Sequence, residues 1–372
     1  MTTTKIASVF FLFACVLESQ ASAANLAHAS SGGDPPQDCT TSLRVINTND
    51  SGSGSLRQAV LNACPNGIIR FADNLPIQLA TEIVIERNLT IDASDVSDEL
   101  AGTEAALLQI SGGPGNRIFR VVEGASLALR RLRLSNGVLD GAELGGAIRN
   151  DGTLSASECR FDGNRSGPAN NLGGGAIFNA VGATLLVEQS TFDANISQRG
   201  AAIFNSGDAE LYNSTFSGNV AENGSTISEG AIQNRGTLLA DHITVTNNTG
   251  QLTNSFGGLF AFSADTTLLN SVIAGNVGKD CEISGGTSTS VGLLSQTGNC
   301  PRDFNSDPLL GPLADNGGVT PTHMPSDSSP ALGVGDATLC LDFDQRGAAR
   351  TQPGTCDLGA IERNAIFANG FE

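Results

Sequence analysis

Residues 171–179 read NLGGGAIFN, and the element they contain, small residues followed by Ile-x-Asn, occurs four times along the chain. The copies begin at Ile148, Ile177, Ile203 and Ile232, so they are spaced by 29, 26 and 29 residues. A degenerate fifth copy, Phe260-Ala261-Phe262, follows 28 residues after Ile232. A repeat of this length, in which each unit packs on its neighbours, is typical of a solenoid.

Three successive glycines before an apolar run also resemble a phosphate-binding loop. A P-loop needs Lys and then Ser or Thr after its last glycine, and a dinucleotide loop needs GxGxxG between a strand and a helix. The residues after Gly175 provide neither pattern. We therefore interpret Gly174 and Gly175 as a tight corner, where a Cβ would strain the turn or crowd the adjacent coil.

A second pattern lies between these copies, with apolar or small residues at positions i, i+2, i+5 and i+7. Steps of two indicate a strand with one buried face, and the step of three indicates a corner before a second strand. The six copies are Leu127/Leu129/Leu132/Leu134, Leu154/Ala156/Cys159/Phe161, Leu185/Val187/Ser190/Phe192, Ala209/Leu211/Ser214/Phe216, Leu238/Ala240/Ile243/Val245 and Thr266/Leu268/Ser271/Ile273. Helical spacing does not fit them, so we predict an all-β fold, a parallel β-helix of about seven or eight coils.

Asparagines recur at fixed places in the repeat. Residues at one place in successive coils stack about 4.8 Å apart, so side-chain amides there can bond to one another and to turn carbonyls. We therefore predict structural ladders rather than ligand-binding residues. One ladder contains Asn150, Asn179, Asn205 and Asn234, and the other contains Asn164, Asn195 and Asn219.

The N-terminus has the features of a secretory signal. Lys5 precedes an apolar run that is too short to span a membrane, and Ala21-Ser22-Ala23 supplies the small-x-small pattern of a cleavage site. No later stretch is long and apolar enough to cross a bilayer. We therefore expect an exported protein, extracellular or at the cell surface, with the periplasm as a further possibility.

Seven cysteines follow the predicted cleavage site, and an even subset should pair in an oxidising compartment. The candidate pairs are Cys39 with Cys64, Cys281 with Cys300, and Cys340 with Cys356. Cys159 remains, in the same inward slot as Ser190 and Ser214, and we expect it to be a buried thiol. The sequence contains neither C-x-x-C nor a Cys/His cluster, so it does not indicate a zinc site.

Both ends of the repeat differ from its middle. Residues 55–64 have the pattern of a short helix, and residues 307–362 lack the period and are rich in turn signals. The predicted organisation is a signal peptide (1–23), a flexible linker (24–38), an N-terminal cap (39–66), the parallel β-helix (67–306), a C-terminal capping subdomain (307–362) and a C-terminal tail (363–372). Such caps would cover the open edges of a solenoid.

These end segments carry a family resemblance. VINTNDSG (45–52) followed by GSLRQA (54–59) resembles the N-terminal signature of bacterial secreted right-handed β-helix proteins of the CSLREA type. DPLLGPLADNGGVTPTH, SSPALGVGD, DQRGAAR and CDLGAIE are similar to the C-terminal "choice-of-anchor" domain of many such proteins, and the repeats resemble those of chlamydial polymorphic outer-membrane proteins. The resemblance implies an exported β-helix that is released or held at the cell surface.

The charge limits the partners. With 38 acidic and 20 basic residues the formal net charge is −18, whereas nucleic-acid backbones are bound through clustered Lys and Arg. Nucleic acid is therefore not an expected partner. Calcium at the Asp342–Arg346 cluster stays open, although Arg346 more simply pairs with a carboxylate. No other cofactor is indicated.

Two functions remain. We expect a monomeric, non-catalytic, adhesin-like protein that binds an extracellular glycan or a cell-surface component. The alternative is a polysaccharide-active enzyme, pectate-lyase-like or a glycoside hydrolase, since parallel β-helices also carry such activities. Its candidate catalytic residues are Asp162 and Asp193, at equivalent positions of adjacent coils. The chain has no Trp and only Tyr212 as tyrosine, which leaves few rings for stacking on sugars.

Overall fold

Three strands per turn recur along the chain and stack on their counterparts in neighbouring turns. The computed structural model describes residues 39–97, 107–167, 172–222, 228–252, 254–350 and 355–363. The predicted signal peptide, the linker and the tail after residue 363 lie outside these ranges.

The secondary structure is almost entirely short strands. In chain order the elements are β1 (Thr40–Val45), α1 (Leu56–Asn62), β2 (Ala63–Phe71), β3 (Ile77–Gln78), β4 (Ile83–Ile85), β5 (Leu89–Asp92), α2 (Ser94–Ser97), β6 (Leu108–Pro114), β7 (Phe119–Val121), β8 (Ser126–Arg130), β9 (Leu132–Val138), β10 (Ile148–Asn150), β11 (Thr153–Ser157), β12 (Arg160–Asp162), β13 (Ile177–Asn179), β14 (Thr184–Glu188), β15 (Thr191–Asp193), β16 (Ile196–Ser197), β17 (Ile203–Asn205), β18 (Asp208–Tyr212), β19 (Thr215–Ser217), β20 (Val220–Ala221), β21 (Ile232–Asn234), β22 (Thr237–Asp241), β23 (Thr244–Thr246), β24 (Thr249–Gly250), β25 (Phe256–Phe262), β26 (Asp265–Ile273), β27 (Lys279–Ser284), β28 (Ser288–Ser295), β29 (Leu310–Ala314) and β30 (Thr322–Pro325).

The strands form parallel columns. The first column is an eight-stranded sheet of β4, β7, β10, β13, β17, β21, β25 and β27. A 17-stranded sheet holds two more: the second column is β1, β2, β5, β8, β11, β14, β18, β22, β26 and β28, and the third is β3, β6, β9, β12, β15, β19, β23 and the ends of β26 and β28. This confirms the predicted all-β parallel β-helix.

The register follows the repeat with one exception. Ile177 pairs with Ile148 on one side and with Ile203 on the other, as the Ile-x-Asn copies predict. The degenerate copy was misplaced by one residue, because Leu259 and not Phe260 pairs with Ile232. An irregularity between Phe256 and Leu259 in the pairing of β25 with β27 accompanies this shift.

The inward residues fill the solenoid. The rings of Phe161, Phe192 and Phe216 stack with centroids 4.5 and 4.9 Å apart, because strand pairing places them at one position of successive coils. Cys159 is fully buried in the predicted inward slot, where burial raises the pKa of its thiol to about 12. This thiol therefore packs as a small apolar group.

The step of three in the repeat corresponds to a left-handed residue between the second and third columns. These six residues, which we call the corner ladder, have φ between 42° and 54° and are Arg131, Glu158, Gln189, Asn213, His242 and Asn270. Left-handed backbone turns the chain without a longer loop, and Asn tolerates it better than most residues. The side chains of the corner ladder point away from the core.

Two asparagine ladders run through the corners. In the first, the Nδ2 of Asn150 donates to Asn179, Asn179 to Asn205 and Asn205 to Asn234, over 2.7 to 2.8 Å. The second includes the predicted residues and extends to Asn248 and Asn276, with Nδ2 to Oδ1 distances of 2.8 to 3.0 Å. Eight asparagines of the two ladders, four in each, are fully buried, and their side-chain amides bond to one another where the strand pairing stops.

The glycines of the opening motif occupy one corner. Gly174 has a φ of 71°, which favours glycine, and a Cβ on Gly175 would lie 2.1 Å from the carbonyl oxygen of Ala201 in the next coil. The close approach of adjacent coils therefore requires a residue without a side chain at position 175.

The N-terminal segment joins the solenoid directly. Ser55 caps α1 by accepting a hydrogen bond from the Gln58 amide, and Leu56 lies in the core. Strand β1 pairs in parallel with β2, so regular pairing already starts inside the stretch predicted as the N-terminal cap. All three candidate disulfides are formed.

The described residues of 307–363, here called the flank segment, pack along the side of the solenoid. They were predicted to cap its end, but they reach from Leu294 in the last coil back to Gln189. They contain the antiparallel pair β29 and β30, and a small apolar cluster joins Ala331 and Leu358 to Val272 and Leu294. No helix in the described part of the chain is long and apolar enough to span a membrane.

Asn195→Ala tests the ladder. Asn195 donates to Asn219 and to the Phe161 carbonyl and accepts from the amide and side chain of Asn164, so its loss leaves buried donors unpaired. We expect the free energy of unfolding, measured by denaturant titration, to fall by about 2–4 kcal/mol. The exposed Thr184→Ala on the same coil should change it by less than about 0.5 kcal/mol, and equal effects would contradict a stabilising ladder.

Candidate functional site

The two candidate catalytic carboxylates lie side by side, because Asp162 and Asp193 pair in register on β12 and β15. Each forms a two-point ion pair with an arginine of the preceding coil. Arg133 holds Asp162 through contacts of 2.7 and 2.8 Å, and Arg160 holds Asp193 through contacts of 2.8 and 2.9 Å. All four carboxylate oxygens therefore accept from guanidinium groups.

This arrangement fits a structural role. Burial raises the pKa of Asp193, against the opposing effect of Arg160. A nucleophile, a general base or a calcium ligand needs an oxygen that can turn toward substrate or metal, and here the bidentate geometry orients both oxygens toward arginine. The fold thus brings Asp162 and Asp193 together, but each carboxylate is bound by an arginine of the preceding coil.

The second candidate, calcium at residues 342–346, meets the same obstacle. Asp344 is fully buried, and its carboxylate accepts five N–H groups: the Arg346 amide, Nε and Nη2, and the Ala348 and Glu362 amides. The prediction that Arg346 pairs with a carboxylate is confirmed, because its guanidinium binds Asp344. Asp344 organises its own loop.

An open groove lies on the outer face of the first column. Its volume is about 510 Å³, and it is lined by Arg120, Val122, Glu123, Arg149, Asp151, Ala180, Val181 and Gly182. Arg120 and Arg149 are the middle residues of β7 and β10 and pair in register, so strand alternation directs both side chains outward. No sequence pattern marks these two arginines, because outward positions carry no apolar repeat.

The polar groups of the groove are fixed but accessible. Arg149 binds Asp151 through contacts of 2.9 to 3.0 Å, while Arg120 lies 3.5 Å from the same carboxylate. Side-chain exposure is 44% for Arg120 and 35% for Arg149, against 18% for Asp151. Burial acts to raise the pKa of Asp151, but the guanidinium of Arg149 keeps it below its ordinary value. The groove therefore offers the exposed guanidinium of Arg120 beside an ion pair of Arg149 with an ionised carboxylate.

Aromatic residues continue the same outward row on later coils. Phe178 and Phe204 follow Arg149 in register, and their rings meet edge to face at 5.4 Å. The guanidinium of Arg149 lies 5.8 Å from the Phe178 ring centroid, and that of Arg235 lies 5.7 Å from Phe204. Of these two arginines Arg149 lines the groove, so the Phe178 ring lies beside the guanidinium at one side of it.

Sequence reasoning also missed a Cys/His cluster. The Nε2 of His242 lies 3.3 Å from the Sγ of Cys356, which is bonded to Cys340, and its Nδ1 lies 2.7 Å from Asp241. Burial lowers the pKa of His242. Because Cys356 is 114 positions away in sequence, local spacing could not show this contact. The one available signal was a histidine in a corner slot that holds asparagine in both adjacent coils.

Comparison of the chain with models of protein families found no match, and comparison with curated proteins found none either.

Arg160→Met tests the structural role of the carboxylate pair. The variant leaves Asp193 unpaired at 12% exposure, and we expect the free energy of unfolding at neutral pH to fall by about 2–4 kcal/mol. The folded-state pKa of Asp193 should then lie further above its unfolded value. The loss should therefore be small below about pH 4 and grow as pH rises through that pKa.

The double variant Arg160→Met/Asp193→Leu should recover most of the stability, since no unpaired charge remains. Arg70→Met, which breaks a more exposed pair with Asp95, serves as the control and should have little effect. Denaturant titrations across pH compare all three variants. A loss in Arg160→Met that does not depend on pH would contradict the assigned pairing.

Proposed function

We propose that this chain is an exported, non-catalytic β-helix protein that binds an extracellular glycan in the groove formed by Arg120, Arg149 and Asp151. The observation that carries the proposal is the pairing of exposed guanidinium donors with an ionised acceptor on a rigid parallel sheet. Planar groups of this kind can bind the hydroxyls and carboxylates of sugars through two hydrogen bonds at once. Exposed Val181 adds an apolar rim.

Export is supported by the disulfides. Three formed disulfides are compatible with an oxidising compartment outside the cytoplasm. The resemblance to CSLREA-type and choice-of-anchor proteins, and the signal-peptide pattern, point the same way. We therefore propose a released or cell-surface location and membership of that group of β-helix proteins.

The alternative is a polysaccharide-active enzyme. It is favoured by one observation, the stacking of Asp162 on Asp193 with the raised pKa of Asp193. The bidentate ion pairs weigh against it, because they occupy the oxygens that catalysis would use. Binding without cleavage is thus the function that the geometry supports best.

Binding is tested with immobilised polysaccharides, a polyuronate and a neutral polymer, over which the purified protein is passed. We expect retention that Arg120→Ala/Arg149→Ala reduces by at least about tenfold, because both donors are lost. Arg302→Ala, an exposed arginine beyond the last solenoid strand, is the matched control and should bind as the unaltered protein does. Equal binding by the double variant and the control would refute the groove.

Cleavage is followed in the same samples as unsaturated or reducing ends, with and without calcium. The proposal predicts no product above buffer. Product formation that disappears in Asp162→Asn or Asp193→Asn would establish the enzymatic alternative.

A further inference from the structure

The contact between His242 and the Cys340–Cys356 disulfide has the composition of a metal site. One nitrogen and two sulfurs, the Nε2 of His242 and the Sγ atoms of Cys340 and Cys356, lie within 4.8 Å of one another. Two thiolates and an imidazole are a ligand set that Zn²⁺ prefers. In the disulfide form the sulfurs are bonded to each other and carry no charge, so the same atoms do not then form a strong site.

The surroundings orient these atoms as in known metal centres. The Nδ1 of His242 is bonded to Asp241 at 2.7 Å, which directs the Nε2 lone pair toward Cys356. A carboxylate on the far nitrogen is the usual second partner of a metal-bound histidine. The Asn270 amide donates to Cys356 Sγ at 3.8 Å, a contact that favours a thiolate at this position.

The corner ladder shows that histidine is a departure at this position. His242 has a φ of 52°, and the residues at the same corner of the adjacent coils are Asn213 and Asn270, with φ of 43° and 42°. Those asparagines bind the flank segment through its backbone or an arginine. Only at 242, among the six corner residues, does the side chain present an imidazole to a disulfide.

We propose that reduction of the Cys340–Cys356 disulfide converts this cluster into a Cys₂His site for Zn²⁺. The reductant is a dithiol of the thioredoxin-like or small-molecule class. Its thiolate attacks Cys340, the less buried sulfur, and Cys356 leaves as a thiolate. The second thiol of the reductant then releases Cys340, so that two electrons pass to the protein and the reductant becomes a disulfide.

Zn²⁺ then binds both sulfurs and the Nε2 of His242 and displaces the two thiol protons. Water or another small ligand takes the fourth position, as in zinc sites with three protein ligands. The metal would replace the covalent link between Cys340 and Cys356. The metal would also tie the flank segment to His242, in addition to the hydrogen bonds of Gln189, Asn213 and Asn270.

The experiment uses the full chain, reduced with a phosphine, desalted without oxygen and titrated with Zn²⁺ against a chromogenic chelator. We expect the reduced protein to bind one more equivalent of Zn²⁺ than the Cys340→Ser/Cys356→Ser variant. His242→Asn should weaken that equivalent by at least about tenfold. Asparagine at this corner is compatible with the fold, since both neighbours are asparagine.

The matched control is Cys281→Ser/Cys300→Ser, which removes a different disulfide and should keep the extra equivalent. Circular dichroism of each variant checks that the β-helix is retained. Co²⁺ provides a second readout, because thiolate-to-cobalt absorption should appear only in reduced protein that has both cysteines. The proposal is overturned if His242→Asn binds Zn²⁺ as tightly as the unaltered protein, or if the oxidised protein binds the same equivalent equally well.

Discussion

The structure depends on one constraint, the in-register stacking of identical positions in successive coils. Hydrogen bonds between strands maintain this stacking in the columns. At the corners the backbone no longer pairs in this way, so its polar groups need other partners. Asn150, Asn179 and Asn205 provide them in one corner, each bonded to the next coil and to turn carbonyls. The register of the coils is therefore fixed by these side-chain hydrogen bonds as well as by the apolar core.

This constraint explains which parts of the molecule could be predicted. Columns, ladders and the buried Cys159 follow from a repeated pattern, because each coil imposes the same environment at the same position. The misplaced copy at Phe260 marks the place where the pattern weakens and the pairing becomes irregular. The groove around Arg120 could not be predicted, because outward positions follow no repeated sequence pattern. The contact of His242 with Cys356 could not be predicted either, because the flank segment has no repeat that would align it with the coils.

The corner ladder links the periodic and the aperiodic parts. Its left-handed residues turn their side chains outward, and Gln189, Asn213 and Asn270 use them to bind the backbone of the flank segment. In the stretches that resemble a choice-of-anchor domain, Arg350 donates to Asn213 of the corner ladder, and Gln345 donates to Thr191 on the adjoining strand. In this chain, those stretches hold the flank segment against the side of the solenoid.

Two faces of one solenoid thus have different chemistry. The flank segment covers the corner between the second and third columns, where any chemistry depends on the redox state of Cys340 and Cys356. The first column is a separate sheet, and its Arg120 and Arg149 keep 44% and 35% of their side chains exposed. A ligand in the groove would then touch neither Asp162 nor His242, because those residues belong to the third column and to the corner before it. Binding at one face and metal uptake at the other can therefore be altered by separate substitutions.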